Sequence, residues 1–213
     1  MYLFSRSTRL APGNPREEME WAVHLTEKVN QISDLRVELW TTIFSPATGT
    51  LAWTVVSRDL QDLENLETKL MLDDGYLGLV EHGARYVCPE SLTDGLVDIA
   101  YADPDAATRS QTASYSAIAT MRIAPGHQAQ VMEAGPLAAQ RIKQVIGAPT
   151  SFCLGLTGPA GTVGFLSQFE TLRQLQAAGE AIRGDAEFAA FLDASSVMVA
   201  PGSSTQTMWR KLA

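Results

Sequence analysis

The stretch Arg9-Leu10-Ala11-Pro12-Gly13 returns as Arg122-Ile123-Ala124-Pro125-Gly126, at an offset of 122 − 9 = 113 residues. A second stretch, Gly49-Thr50-Leu51-Ala52-Trp53, returns as Gly161-Thr162-Val163-Gly164-Phe165, at an offset of 161 − 49 = 112. The 112-residue offset also matches Leu60 and Leu63 with Leu172 and Leu175, Tyr76 with Phe188, and Val87-Cys88-Pro89 with Val199-Ala200-Pro201. Matches that drift by one residue over half a chain indicate an internal repeat, which decides the architecture.

Composition excludes several classes of protein. The 213 residues carry a net charge of −8, and an acidic surface repels phosphate backbones, so we expect no nucleic-acid partner. No apolar run approaches the roughly 20 residues that span a bilayer. The N-terminus lacks the basic-then-apolar layout of a signal peptide, so a cytoplasmic protein without membrane attachment is expected. The two cysteines, Cys88 and Cys153, indicate neither a disulfide framework nor a zinc site.

Each half is predicted to run strand, helix, strand, strand, helix, strand. In the first half the boundaries are strand 2–10, helix 15–32, strands 37–44 and 51–57 joined by 45–49, a helix from Asp59 or Asp62 that Asp73-Asp74-Gly75 interrupts, and strand 96–101. In the second half they are strand 115–123, helix 127–146, strands 152–156 and 163–169, an interrupted helix 172–199, and strand 205–212. We therefore predict a first repeat over 1–101, a linker over 102–111 and a second repeat over 112–213.

The order βαββαβ is the ferredoxin-like motif, whose sheet carries helices on one face only. In Leu51-Ala52-Trp53-Thr54-Val55-Val56 both alternating sets of side chains are largely apolar, which is typical of a strand covered on both faces. The predicted fold class is therefore α+β: two fused ferredoxin-like repeats that form a barrel with a pseudo-twofold axis and four helices outside.

One short signature adds a resemblance. Gly184-Asp185-Ala186-Glu187-Phe188-Ala189-Ala190-Phe191-Leu192 is echoed by Asp73-Asp74-Gly75-Tyr76-Leu77-Gly78-Leu79-Val80. With the element order, it resembles the second helix of the dimeric α+β barrel superfamily, including antibiotic-biosynthesis-monooxygenase-like and NIPSNAP-like units. The resemblance implies a cavity, and activities that range from cofactor-independent monooxygenases, cyclases and muconolactone-type isomerases to haem-degrading and chlorite dismutase-like haem proteins.

The haem branch of the resemblance fits this sequence only in part. His127 follows Pro125-Gly126 at the mouth of a helix, which is not where the fused haem proteins place their ligand. His82 stands late in a helix, as the ligand does in single-unit haem-degrading relatives, but Val55 occupies the position where those relatives need a tryptophan. We therefore expect no cofactor.

The oxygenase branch requires a dry pocket that stabilises a substrate anion. Glu38 and Trp40 share one face of a predicted strand, beside Trp53 on the next strand, and Trp209 lies on the last strand. A carboxylate beside an indole could bind a polar aromatic ligand or act as a base. The catalytic candidates are therefore Glu38, Trp40 and His82; the alternative is a core tryptophan with Glu38 at an exposed strand end.

Arg9 and Arg122 occupy equivalent positions before the two Ala-Pro-Gly turns and could frame an anionic ligand. The ligand-binding candidates are thus Arg9, Arg122, Trp53 and Trp209. The alternative for both arginines is a salt bridge to the acidic surface or a hydrogen bond to a turn carbonyl.

The sequence contains no motif for phosphoryl transfer, triad hydrolysis or zinc chemistry. It lacks a glycine-rich phosphate-binding loop, a nucleophile elbow and a cluster of histidines and carboxylates with the spacing of metal ligands. The expected function is a small-molecule-binding barrel, with cofactor-independent oxygenase, cyclase or isomerase activity on an aromatic or polyketide-like substrate as its catalytic form. It is expected to act as a monomer or a homo-oligomer, with a small hydrophobic or aromatic ligand. The competing hypothesis is a non-catalytic binding or assembly protein with a filled barrel. At the 112-residue offset Trp40 aligns with Phe152 and Glu38 with Thr150, so the first half is where we expect the site.

Overall fold

The computed structural model describes residues 1–45, 48–106 and 112–213. Its strands are β1 (Tyr2–Arg9), β2 (Val37–Ile43), β3 (Thr50–Ser57), β4 (Thr93–Tyr101), β5 (Tyr115–Arg122), β6 (Thr150–Gly155), β7 (Thr162–Phe169) and β8 (Thr205–Lys211). Its helices are α1 (Pro15–Ile32), α2 (Leu60–Met71), α3 (Asp74–Gly83), α4 (Gln128–Ile146), α5 (Leu172–Gly184) and α6 (Ala186–Ser195), with short 3-10 turns at Ala84–Tyr86 and Ser196–Met198. Part of the predicted hairpin loop, 46–47, and part of the linker, 107–111, lie outside the described residues.

The predicted order βαββαβ is confirmed in both halves, with the second helix divided in two each time. The eight strands form a closed barrel in the order β1-β3-β2-β8-β5-β7-β6-β4. This is the α+β fold class that the sequence predicted. The chain forms two compact units, 1–96 with 210–213 (unit 1) and 97–209 (unit 2). No helix in the described part of the chain is long and apolar enough to cross a membrane.

The short signature that carried the resemblance is a helix start. Asp73 caps α3 by accepting a hydrogen bond from the backbone N–H of Tyr76 at 2.8 Å, and Asp185 caps α6 from Phe188 at the same distance. Each cap satisfies a donor that the first turn of a helix leaves unpaired. It also directs an aromatic ring toward the sheet, and Phe188 is 3% exposed.

Unit 1 has a core between its sheet and α1. Trp21, Ala22 and Leu25 on α1 pack against Leu39 on β2 and Leu51 on β3. Since successive side chains of a strand alternate between its faces, Glu38 and Trp40 point away from α1.

The register of unit 2 corrects the alignment of the two halves. Leu39 pairs with Trp53 in unit 1, and Phe152 pairs with Phe165 in unit 2. Phe152 is therefore the counterpart of Leu39, and Cys153 that of Trp40, so the expectation that Trp40 aligns with Phe152 was wrong. The one-residue difference between the halves falls in the hairpin loop, where a deletion is tolerated; inside a strand it would turn every side chain to the other face.

Candidate ligand pocket

A pocket of about 640 Å³ lies in unit 2 between the sheet and helices α4, α5 and α6. Its floor is formed by Ala119, Phe165 and Phe152, which are cross-strand neighbours on β5, β7 and β6. Phe188 and Phe191 of α6 line it from the helix side. The volume falls within the range of roughly 300–1,000 Å³ that is usual for small-molecule sites.

In unit 1 the corresponding space is filled by Trp21. Its indole N–H donates to the Leu79 carbonyl at 2.8 Å, and its ring lies against the rings of Tyr86 and Trp53, with centroids 5.7 and 5.9 Å away. The ring also lies so close to Gly83 that a Cβ there would overlap it. Trp21 thus touches the sheet, the end of α3 and the turn that follows.

In unit 2 the counterpart of Trp21 is Ala134. The offset of 113 for this helix follows from burial, since the buried residues Ala22, Leu25 and Thr26 of α1 correspond to Gly135, Ala138 and Ala139 of α4. The counterparts of the four groups around Trp21 all line the pocket, and these are Ser195, Phe191, Met198 and Phe165. The loss of one indole therefore accounts for the position of the pocket.

Two smaller side chains on β5 extend the pocket. In β1, Phe4 and Arg6 pair with Val55 and Trp53. Their counterparts in β5 pair in the same way with Ser167 and Phe165, but they are Ala117 and Ala119, and both line the pocket.

An ion pair stands at this position in unit 1. The Arg6 guanidinium binds the Asp94 carboxylate through two hydrogen bonds of 2.8 and 2.7 Å, and these raise the pKa of Arg6. In unit 2 the counterparts are Ala119 and Gln206, which are pocket-lining residues without charge. The side of unit 2 that the ion pair covers in unit 1 is therefore open.

At another contact between helix and sheet, unit 2 has a smaller helix residue and a larger strand residue than unit 1. Ala22 packs against Leu39 in unit 1, whereas Gly135 packs against Phe152 in unit 2, where a Cβ would overlap the ring. The Trp53 indole donates to Thr26 Oγ1 at 2.9 Å, and the counterparts Phe165 and Ala139 lack both groups. These paired changes keep the helix packed while removing polar groups from unit 2.

The chemistry of the pocket is almost entirely apolar. Among the described residues that line it, none carries an ionisable group. Three of its serines already share their hydroxyls: Ser195 donates to the Phe191 carbonyl at 2.8 Å, Ser196 donates to the Asp193 carbonyl at 2.6 Å, and Ser167 shares a 2.8 Å hydrogen bond with Thr150. The pocket therefore suits an uncharged ligand.

Haem does not fit these residues. Haem iron is held by a histidine, a cysteine or a tyrosine, or by a methionine together with a histidine, and the described lining contains methionines but none of the other three. His127 stands at the N-cap position of α4, and its Nδ1 lies 2.6 Å from Gln130 Oε1, outside the lining of the pocket.

The candidates Glu38 and Trp40 belong to unit 1 and do not line the pocket. Lys211 Nζ lies 2.7 Å from Glu38 Oε1 and 5.1 Å from the centroid of the Trp40 ring, and the Trp40 indole donates to Thr54 Oγ1 at 3.0 Å. The two side chains are thus neighbours, as the sequence predicted, and the Glu38 carboxylate is paired with Lys211 at the far end of the chain.

The remaining candidates are dispersed. Exposed His82 on α3 lies 2.9 Å from Arg85 Nη2, on the helix layer rather than on the face of Glu38. Trp53 is a core residue beneath α1, and the Trp209 indole donates to Thr207 Oγ1 at 3.1 Å. Arg9 and Arg122 are exposed at their strand ends, with backbone N–H groups that donate to Ser91 and Ser203 at 3.1 Å. None of them lines the pocket.

The sequence did contain a signal for the pocket. Aligned at the 113-residue offset, three large side chains of the first half, Phe4, Arg6 and Trp21, face alanines in the second. Such a run of large-to-small changes on core-facing positions marks the half in which space opens.

Comparison with known proteins supports the fold and leaves the activity open. No protein-family model matches the sequence, and neither does any curated protein. Among solved structures, similarity covers 100% of this chain and 92% of a Fusobacterium nucleatum protein named as a candidate monooxygenase, with 9% identity and a TM-score of 0.73. It covers 100% of this chain and 91% of an anthrone oxidase-like protein, with 13% identity and a TM-score of 0.68. Similarity also covers 100% of this chain and 90% of a chlorite dismutase variant from Candidatus Nitrospira defluvii, with 14% identity and a TM-score of 0.55.

Proposed function

We propose that this protein binds a small, uncharged and largely aromatic molecule in the pocket of unit 2. The observation that carries the proposal is a cavity of about 640 Å³ whose described lining is apolar and has no ionisable side chain. Burying apolar ligand surface there yields roughly 25 cal/mol per Å². A charged ligand would lose its hydration without gaining a counter-charge.

Binding is better supported than catalysis. A general base or nucleophile has to reach the ligand, and the described lining contains no His, Asp, Glu, Lys or Cys. The hydroxyls of Ser195 and Ser196 already donate to backbone carbonyls. Oxygenation of an aromatic or polyketide-like substrate is the second candidate function. Its support is the names of two proteins of similar fold, a candidate monooxygenase and an anthrone oxidase-like protein. Such a reaction would depend on a substrate that itself activates oxygen.

The binding experiment uses the neutral dye N-phenyl-1-naphthylamine, whose fluorescence rises in an apolar site. The test variant is the double substitution Ala134→Trp/Ser195→Gly, which copies Trp21 and Gly83 into unit 2. We expect the unaltered protein to bind the dye with 1:1 stoichiometry and the double variant to lose at least tenfold in affinity, because the indole fills the site.

Two control variants separate filling from general disturbance. Leu137→Trp adds an indole on the exposed face of the same helix, where Leu137 is 63% exposed, and Ser195→Gly alone removes a side chain from the pocket. Both should retain dye binding. Equal binding by the filled variant would overturn the proposal. Oxygen uptake with anthrone, measured on the same variants, tests the catalytic candidate separately.

A further inference from the structure

We propose that Ser195 is a specificity-determining residue of the pocket and accepts a hydrogen bond from an N–H or O–H donor on a flat aromatic ligand. The ligand ring would then lie beside the position that the Trp21 indole takes in unit 1, because the Cβ of Ser195 occupies part of that position. The inference rests on the proposed function, because it names the ligand class that the same pocket selects.

Unit 1 shows how a flat aromatic donor is held by this scaffold. The Trp21 ring packs over Gly83 and between Trp53 and Tyr86, and its N–H donates to the Leu79 carbonyl at 2.8 Å. Trp21 is 8% exposed, so this single polar atom has its partner inside the protein. The arrangement is a ring in an apolar slot with one hydrogen bond at its edge.

Unit 2 keeps the apolar walls around this position and changes the acceptor. Ser195 stands where Gly83 stands in unit 1, and its hydroxyl donates to the carbonyl of Phe191, the counterpart of Leu79, at 2.8 Å. A serine hydroxyl has one proton and two acceptor lone pairs. Because the proton is used on Phe191, the oxygen is left to act as an acceptor. Ser195 and Phe191 both line the pocket.

This arrangement discriminates between ligands that donate a hydrogen bond to the Ser195 oxygen and ligands that do not. A ring with a donor completes the hydrogen bond that the Ser195 oxygen can accept, whereas a ring of the same shape without a donor covers that oxygen and leaves its acceptor lone pairs without a donor. A site that forms a hydrogen bond with its ligand rejects an analogue without the donor group, because the polar atom of the protein then loses its hydrogen bonds to water and forms no new one.

Indole and indene form the matched ligand pair, because they have nearly the same shape and only indole has an N–H. Their dissociation constants are measured by displacement of N-phenyl-1-naphthylamine from the unaltered protein, from Ser195→Ala and from Ser196→Ala. The comparison between variants cancels the different hydration of the two ligands. Ser196 is the matched control, since it also lines the pocket and its hydroxyl also donates to a backbone carbonyl, that of Asp193.

We expect the ratio of the indene to the indole dissociation constant to fall at least fivefold in Ser195→Ala and to stay unchanged in Ser196→Ala. An unchanged ratio in Ser195→Ala, with both ligands still bound, overturns the assignment of Ser195 and leaves the proposed function standing. Equal effects of both variants overturn it as well. If neither ligand displaces the dye, or if the dye binds the pocket-filled variant equally well, the proposed function itself fails.

Discussion

The Trp21 indole packs directly over Gly83, and a Cβ at Gly83 would overlap the ring. The two residues depend on each other, since the ring needs the missing side chain and the glycine would leave a gap without the ring. Their counterparts in the second half, Ala134 and Ser195, have both changed and both line the pocket. The residues at this one pair of positions thus distinguish unit 1, where the space is filled, from unit 2, where it is open.

Filling the pocket should stabilise the protein. A buried tryptophan covers roughly 150–250 Å², but ordering its side chain offsets part of the gain. We expect Ala134→Trp/Ser195→Gly to raise the free energy of unfolding by about 2 kcal/mol, or roughly 4–8 °C in Tm for a chain of this size. Calorimetry checks this. Ala134→Trp alone should gain less or lose stability, because the Cβ of Ser195 stands where the ring must lie; a fully stabilising single variant would contradict the coupling.

Closing the open side of unit 2 should slow ligand association. Ala119→Arg/Gln206→Asp copies the Arg6–Asp94 ion pair, whose side chains are 41% and 46% exposed in unit 1. Exposed pairs contribute less than about 1 kcal/mol, so Tm should change little. Stopped-flow measurement should show the association rate of the neutral dye falling severalfold. An unchanged rate would mean that the ligand enters elsewhere, and Ala119→Arg without its partner serves as a comparison.

The Glu38–Lys211 pair is expected to stabilise unit 1 without taking part in ligand binding. Both side chains are largely buried, and Lys211 also lies over the Trp40 ring. Removing one partner leaves the other charge buried, so Glu38→Gln should cost about 1–3 kcal/mol in urea denaturation. Dye affinity should stay within twofold of the unaltered protein. A large loss of affinity without a loss of stability would instead make Glu38 a ligand-binding residue.

The two cysteines should differ sharply in reactivity. Burial, with a smaller contribution from the Asp98 carboxylate, raises the pKa of Cys153 to about 12, whereas Cys88 is only half-buried. Since the thiolate is the reactive form, a thiol reagent at pH 8 should label Cys88 slowly and leave Cys153 intact until the protein unfolds. Cys88→Ser should abolish native labelling, and labelling that persists in this variant would contradict the burial of Cys153.

The same shift predicts how stability depends on pH. The folded pKa of Cys153 lies above its unfolded value of 9.0, so folding favours the protonated thiol. This contribution is complete below about pH 9 and is lost as the pH rises toward 12. Cys153→Ala should flatten the fall in Tm over that window in comparison with the unaltered protein.

The sequence by itself determined the repeat, the order of elements and the helix caps, because each depends on neighbours in the chain. Asp73 and Asp185 each cap a helix by accepting a hydrogen bond from the backbone N–H three residues later. A Pro-Gly pair ends a strand through its own backbone preferences, as it does at 12–13 and at 125–126. Strand periodicity also placed Leu39 under the helix and Glu38 beside Trp40.

The alanines that replace Phe4, Arg6 and Trp21 point to the second half, but only the tertiary structure decided that no other described side chain fills the space there. The register of β2 and β6 shows that Phe152 replaces Leu39, a relation that depends on where one loop residue is lost. The pocket arises from side chains that are distant in sequence, Trp21 with Gly83 in one half and Ala134 with Ser195 in the other. Whether space is filled depends on the summed volumes of such distant neighbours, and no local pattern records that sum.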